Sequence, residues 1–454
     1  MSDPVIEAQR RLAAWRSEHA PIASAVRMRI DRMYAGRRIA EAVDQVVADE
    51  VAERAEGKRT HREQTRWAEV TAHAHDPART REVFGAIVDL YLEDIAGGFD
   101  RRLYGAVMAV LPRALDRLVR SRFAITGPID RLQTLVVDHT LVFAPTHSSN
   151  LDSLVVGVAL RRSGLPACAY AAGKHMYRNP VLARLMAKLG AYRVDRGLVA
   201  TLYKDVLKAY AAELLDRGFH SVIFPGATRC RTNEIESQLK LGLLGTSHGA
   251  RRPIAIVPVT LSYQVVLEAP GLIRHFLSGK SAERIGGDSP SAGGLLAAVR
   301  RVLALDEVVV VAFGEPLDPA SVPKLDAALT GAYRRDTVLF ETHVVARALH
   351  ELAVEQTGCS KIHELVRLGG CGFASTDVQA RVTRVVELIQ GQRGGGVLAP
   401  TIDPRDPDRM ITTALRAWAA CHPEPVAVRR GHELTVEDVG VVYFYRNRTA
   451  HLGS

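Results

Sequence analysis

From the start of the chain to about residue 125, apolar residues recur at helical spacing among arginine, alanine and glutamate, with few strand-like runs. This is the pattern of a helical region. One stretch in it, "RRLYGAVMAVLPRALDRLVRSRF", sets Leu103, Val107, Val110, Leu115 and Leu118 against Arg113, Arg117, Arg120 and Arg122, with Pro112 placed to start or kink its second half. It reads as a helix packed on a core with a solvated basic face, and a helix lying on a membrane surface fits the same pattern. Between about 126 and 345 the texture changes to short β-rich runs: "LVFAP" from 141, "ACAYAA" from 167, "AYRV" from 191, "SVIF" from 221, "IAIVPVTLSY" from 254 and "VVVVAF" from 308. Helical stretches such as "PVLARLMAKLG" and "VATLYKDVLKAYAAELLDRG" lie between them, and the alternation predicts an α/β layer architecture. "KSAERIGGDSPSA", from 280, has the composition of a surface loop. From about 346 helix patterns return, broken by the connector "GQRGGGVLAPTIDPRDPDR". The chain therefore divides into a helical region (1–125), an α/β domain (126–345) and a mostly helical C-terminal region (346–454).

Charge narrows the choice of partners. Against 50 acidic residues the chain carries 59 lysines and arginines, for a net charge of +9 and a pI near 9.4. That balance favours anions: phosphates, nucleic acid or an acidic membrane face. No stretch interleaves basic and aromatic residues as nucleic-acid modules do, which argues against nucleic acid. The five cysteines, Cys168, Cys230, Cys359, Cys371 and Cys421, are odd in number and scattered, with no C-x-x-C, so neither a disulfide framework nor a zinc site is expected and a reducing cytoplasm is the simplest setting. The opening "MSDPVIEAQRRLAAW" carries charges where a signal peptide needs an apolar core. No run approaches the roughly 18 apolar residues of a spanning helix, so a membrane role would be a surface role.

Within "APTHSSNLDSLVVGVAL" (144–160), two readings compete. Ser149 and Asp152 have the spacing of a capping box that opens a helix. Alternatively, His147 and Asp152 form a base and its orienter. In a chain with 16 histidines about one His-x4-Asp pair is expected by chance, and only His147 shows it. Residues five apart on a helix differ by about 140°, so the two side chains meet only if His147 lies in the loop before the helix and Asp152 in its first turn. In that arrangement Asp152 would accept the Nδ1 proton and Nε2 would be free to deprotonate a hydroxyl.

Three further stretches carry chemistry. "FPGATRCRTNE" follows the "SVIF" strand and places Arg229 and Arg231 where their planar forks can grip a phosphate together; two solvated loop arginines are the plainer reading. Cys230 between them is read as inert. Arg196, in "LGAYRVDRG", follows a short strand and can reach the same crevice. Pro258, inside "IAIVPVTLSY", implies an edge or bulge and is expected to end the ladder and shape a pocket wall.

In order and character these stretches resemble the glycerolipid acyltransferases over roughly residues 140 to 270. The family's H-x-x-x-x-D block resembles His147 to Asp152, and its "G-x-x-x-I-D-R" block resembles Gly190 to Arg196. Its "F-P-E-G-T-R-S-R" block is similar to Phe224 to Arg231, and its "V-P-V" block to Val257-Pro258-Val259. Within the superfamily, the glycerol-3-phosphate and dihydroxyacetone-phosphate enzymes look nearer. The long helical N-terminal region, "VPVTLSYQVVLE" with Tyr263 and Glu268, and "FYRNRTAH" (Phe444 to His451), similar to their "Y-Y-R-N-x-x-x-H", all point that way.

The resemblance implies a mixed central sheet flanked by helices and a single displacement that moves a fatty acyl group from a thioester to an alcohol. His147 would be the general base and Asp152 its orienter. Arg196, Arg229 and Arg231 would hold the acceptor phosphate, with Gly226 and Thr228 in the same acceptor-side block. No cofactor or metal is implied; acyl-CoA and acyl carrier protein are equivalent donors, and glycerol-3-phosphate is the expected acceptor in phospholipid synthesis. Lysophosphatidate or another lysophospholipid is the alternative acceptor. The expected setting is cytoplasmic, peripheral on the inner, anionic face of the membrane, where the acyl chain would enter. One position departs from the family pattern: Gly226 stands where the third block usually has glutamate, removing a carboxylate that orders the acceptor. Glu234 could replace it only if the loop folds back. The loss also leaves open a non-catalytic lipid-binding relative.

Overall fold

The computed structural model describes residues 4–15, 17–35, 37–55, 61–100, 102–107, 109, 123–149, 151–177, 180–195, 197–226, 230–249, 251–279 and 309–453. Most of the basic stretch after Pro112, the 280–292 segment, and Arg196, Thr228 and Arg229 lie outside these residues.

Seven strands form the central sheet: β1 (Phe123–Thr126), β2 (Thr140–Pro145), β3 (Ala169–Gly173), β4 (Ala191–Val194), β5 (Ser221–Val222), β6 (Ile254–Tyr263) and β7 (Val309–Phe313). Their order is β1-β7-β6-β2-β5-β3-β4. All neighbours run parallel except β6 and β7, so the sheet is mixed. Every residue of β2 and β6 is buried, as expected of continuous apolar runs covered on both faces. "SVIF" is shorter as a strand than its pattern suggests. Only Ser221 and Val222 join the ladder, because Pro225 has no N–H to extend it and the chain turns there.

Pro258 behaves differently from the expectation. It sits inside the central strand β6, paired in register with Ala144 of β2, and the ladder continues on both sides of it. Its missing N–H falls where the β7 side is out of step. The pairing Val259↔Phe313 and the bridge Ile256↔Leu317 differ by one residue, so one extra residue between Gly314 and Leu317 forms a bulge beside the proline. The bulge half of the expectation holds, and the ladder end does not.

Among the described residues, the helices Pro4–Ala14, His19–Met33, Arg37–Ala55, His61–Thr71 and Thr80–Ile95 come before the sheet. They share one apolar core with β4 and with the helix Thr201–Asp216. The Trp15 indole donates to Tyr210 Oη at 3.1 Å, and Tyr34 Oη donates to Asp205 at 2.7 Å. The strand Phe123–Thr126 already belongs to the α/β sheet.

Beyond the sheet the helix Glu341–Thr357 forms a buried axis. The helices Ser375–Gly391, Pro407–Cys421 and Val439–Arg446 pack around it and share the main apolar core. A three-stranded antiparallel sheet, Ala427–Arg430, Glu433–Val436 and Gly372–Ala374, is an addition to the helical pattern expected there. Gly431, at φ +63, allows the two-residue turn between Arg430 and Glu433. Among the described residues, no helix is long and apolar enough to cross a membrane.

Candidate active site

β2, β5 and β6 are adjacent and parallel, so the loops after Pro145, Val222 and Tyr263 open on one edge of the sheet. In open α/β sheets this carboxyl edge is where ligands bind. His147 lies in the loop after β2, and the helix Asp152–Arg162 begins five residues later.

The geometry joins the two readings of this loop into one arrangement. The His147 Nδ1 and the Asp152 Oδ2 are 2.7 Å apart. The same Oδ2 accepts the backbone N–H groups of Ser148 at 2.7 Å and Ser149 at 2.9 Å. The second of these is the reach-back half of a capping box. The other half is absent: Ser149 Oγ accepts from Leu151 N at 3.2 Å and donates toward Glu268 at 3.1 Å. Tyr263 Oη, at the end of β6, donates to Asp152 Oδ1 at 2.6 Å. Asp152 is 0% exposed, and these four donors satisfy its buried carboxylate. An ionised carboxylate can only accept, so Nδ1 must carry the proton and Nε2 the lone pair. The His147 ring keeps 22% of its surface exposed, and the Phe224 ring packs against it at 4.7 Å between centroids.

Neighbouring elements fix the base loop. Thr146 N donates to Val259 O at 3.0 Å, and Thr146 Oγ1 accepts Leu261 N at 3.0 Å. Cys230 N donates to His147 O at 2.8 Å, which lays the arginine-bearing loop alongside the histidine. Burial pushes the Cys230 thiol up, consistent with an inert role. Arg231, in the same loop, is partly buried.

Three residues escape a motif-based reading. Tyr263 was visible as part of the β6 stretch, but not as a partner of Asp152; burial, then the adjacent Asp152 charge, hold its hydroxyl far above the usual range. Arg448, from "FYRNRTAH", is 2% exposed and donates to Leu261 O at 2.8 Å, placing a buried cation in the electrostatic neighbourhood of Glu236, Asp152 and Tyr263. Asn447 Nδ2 beside it donates to Thr232 O at 3.0 Å, and Tyr445 Oη accepts Val266 N at 3.1 Å. The C-terminal segment therefore braces the loops of the site. The third residue is Glu236. Its Oε1 accepts the backbone N–H of His147, and the exposed Glu234 takes no such place.

Glu236 supplies a pH signature. Burial pushes its carboxyl up to about 8, with the Asp152 charge adding to the rise and the His147 N–H and Arg448 opposing it. A carboxyl whose folded value lies above its unfolded one stabilises the fold while protonated, fully below the unfolded value of about 4.3, and that contribution is lost as pH rises through the folded value. Thermal unfolding of wild type and Glu236→Gln between pH 5 and 9 is expected to give melting temperatures that converge at the acid end. The wild type should fall progressively behind as pH rises above the unfolded value, the stability gap reaching on the order of a few kcal/mol and levelling off once pH passes about 8. A constant gap across the range would rule out the titration.

The family model described as Acyltransferase matches residues 127–262, the span that holds His147, Asp152, Glu236 and most of the sheet. Over that span the chain is similar to the glycerolipid acyltransferases. A glycerol-3-phosphate acyltransferase of Xanthomonas axonopodis pv. citri (strain 306) is 26% identical over 282 residues, which is 61% of this chain and 29% of that protein. One of Haemophilus influenzae (strain PittEE) is 29% identical over 217 residues, 45% of this chain and 26% of that protein. One of Pasteurella multocida (strain Pm70) is 30% identical over 194 residues, 41% and 23% respectively. The chain thus spans less than a third of the length of the curated relatives it matches. The solved structure of the 1-acyl-sn-glycerophosphate acyltransferase PlsC from Thermotoga maritima aligns with 52% of this chain and 80% of its own at 15% identity, with a TM-score of 0.31, too loose an overlay to bear on the site.

Proposed function

We propose that the protein transfers a fatty acyl group from acyl-CoA or acyl carrier protein to a hydroxyl of glycerol-3-phosphate, working on the inner face of a membrane. The observation that carries this reading is the His147–Asp152 pair, 2.7 Å apart at the carboxyl edge of the sheet, on a ring that keeps 22% of its surface exposed. Nε2 takes the proton of the acceptor hydroxyl as its oxygen attacks the thioester carbonyl; the tetrahedral adduct then collapses, the C–S bond breaks, and the thiolate leaves with the proton. Asp152 stabilises the imidazolium formed in between. No acyl-enzyme is needed. Arg231, with Arg196 and Arg229, holds the acceptor phosphate, which converts a bimolecular encounter into an oriented one. The net charge of +9 suits both the phosphate and an anionic membrane surface.

The test is an acceptor series on the purified chain, with thiol release and lipid product followed together. Glycerol-3-phosphate is expected to be acylated in preference to glycerol and lysophosphatidate, with one thiol released per lipid formed. In Arg231→Ala the acceptor KM is expected to rise about 10- to 100-fold, the worth of one charge-assisted contact, with a smaller change in kcat. An acceptor dependence identical to wild type would remove Arg231 from the phosphate site. Glycerol acylated as well as glycerol-3-phosphate would remove the phosphate from recognition altogether.

A further inference from the structure

The crevice lacks a side chain at Gly226, and the space is occupied. A Cβ built on Gly226 would stand 2.4 Å from Oε2 of Glu236, 2.7 Å from its Cδ and 3.0 Å from its Oε1. Two C–C bonds of about 1.52 Å at about 111° span roughly 2.5 Å, so a glutamate at position 226 would carry its own carboxylate carbon at nearly the distance where that of Glu236 already stands. The two side chains are alternative occupants of one volume, and the absence of a Cβ at 226 is what lets the later residue in. Of the Glu236 oxygens, Oε1 accepts the His147 N–H, while Oε2 is out of contact with solvent and has no partner among the described residues. A buried carboxylate oxygen left without a partner costs free energy unless its position serves something.

We propose that Glu236 is a positioning residue of this site: reaching back from ten residues further along the chain, it supplies the carboxylate that position 226 does not carry and holds the backbone of His147 from there. The inference rests on the acyltransferase reading and adds to it an explanation of Gly226. Glycine at 226 and glutamate at 236 form a matched pair, in which changing either one alone spoils the arrangement. The buried Arg448 lies in the electrostatic neighbourhood of the same carboxyl group, which couples the C-terminal segment to that point.

The matched pair is tested by moving the carboxylate. In the full chain, with acyl-CoA and glycerol-3-phosphate, Glu236→Ala is expected to lower kcat about 10- to 100-fold with a smaller change in acceptor KM, as a displaced base does. Glu236→Gln, which keeps an oxygen for the His147 N–H, should retain more activity than the alanine variant. Gly226→Glu alone should be impaired by crowding. The double variant Gly226→Glu/Glu236→Ala should recover at least tenfold over Glu236→Ala. The backbone amide resonance of His147, measured without substrate, should shift in Glu236→Ala and return towards its wild-type position in the double variant. A double variant no more active than Glu236→Ala, or an amide resonance indifferent to Glu236, overturns the inference. A wild type that acylates no acceptor would instead overturn the proposed function, and the amide measurement would still decide the role of Glu236.

Discussion

Replacing His147 with alanine is expected to leave a folded protein in which acyl transfer falls by about 10²- to 10⁴-fold, the usual worth of a positioned general base. Folding should survive because the ring is one of four donors to Asp152, and the other three, Ser148 N, Ser149 N and Tyr263 Oη, remain in place. Losing one net hydrogen bond and the packing on Phe224 should cost about 1–3 kcal/mol, within reach of a domain with this much buried sheet. Steady-state thiol release alongside a thermal melt separates the two effects. Turnover near wild type would take His147 out of the chemistry, and a protein that fails to fold would mean the loop depends on the ring itself.

Asp152→Asn is the second large effect, and its direction follows from the donor count. An amide has one acceptor oxygen and one NH2. If the NH2 took the Oδ2 position it would face three N–H donors, at 2.7, 2.7 and 2.9 Å, and clash electrostatically with all of them. At the Oδ1 position it faces the Tyr263 hydroxyl, which can accept as well as donate. The asparagine should therefore settle with its oxygen towards His147, preserving the tautomer and the loop while removing the negative charge that stabilises the imidazolium. The expected outcome is a loss of about 10²- to 10⁴-fold in kcat, little change in acceptor KM, and a stability cost of about 1–3 kcal/mol. A variant with kcat within a few-fold of wild type would show that the charge of Asp152 contributes nothing beyond the cap.

How much of this was legible in the chain depends on the range of the contact. The ends of β6 are legible, because a strand covered on both faces leaves a nearly continuous apolar run, broken here only by Thr260 and Ser262. The His147–Asp152 contact was legible as a possibility, since a loop followed by a helix turn can close a five-residue gap. What the spacing could not express was that cap and dyad are compatible: one carboxylate oxygen accepts the ring and the loop N–H groups together. Glu236 was not legible, because its role depends on a vacancy at Gly226 that only the folded loop exposes. The nearer Glu234, which could fill that place only if the loop folded back, is exposed. Arg448 lies within the segment "FYRNRTAH", but its place beneath the site is set by packing of the C-terminal helices on the sheet. The small antiparallel sheet near the end falls in the region expected to be mostly helical, and its strands of three or four residues are too short to leave a clear alternating pattern.

The tautomer of His147 tests the central claim most directly, through the imidazole ¹⁵N shifts of selectively labelled protein at neutral pH in wild type and Asp152→Ala. The geometry predicts a proton fixed on Nδ1 and a bare Nε2 in the wild type, and a mixture weighted towards the Nε2 proton once Asp152 is removed. A wild-type ring protonated at Nε2, or one whose shifts do not respond to the loss of Asp152, would contradict it.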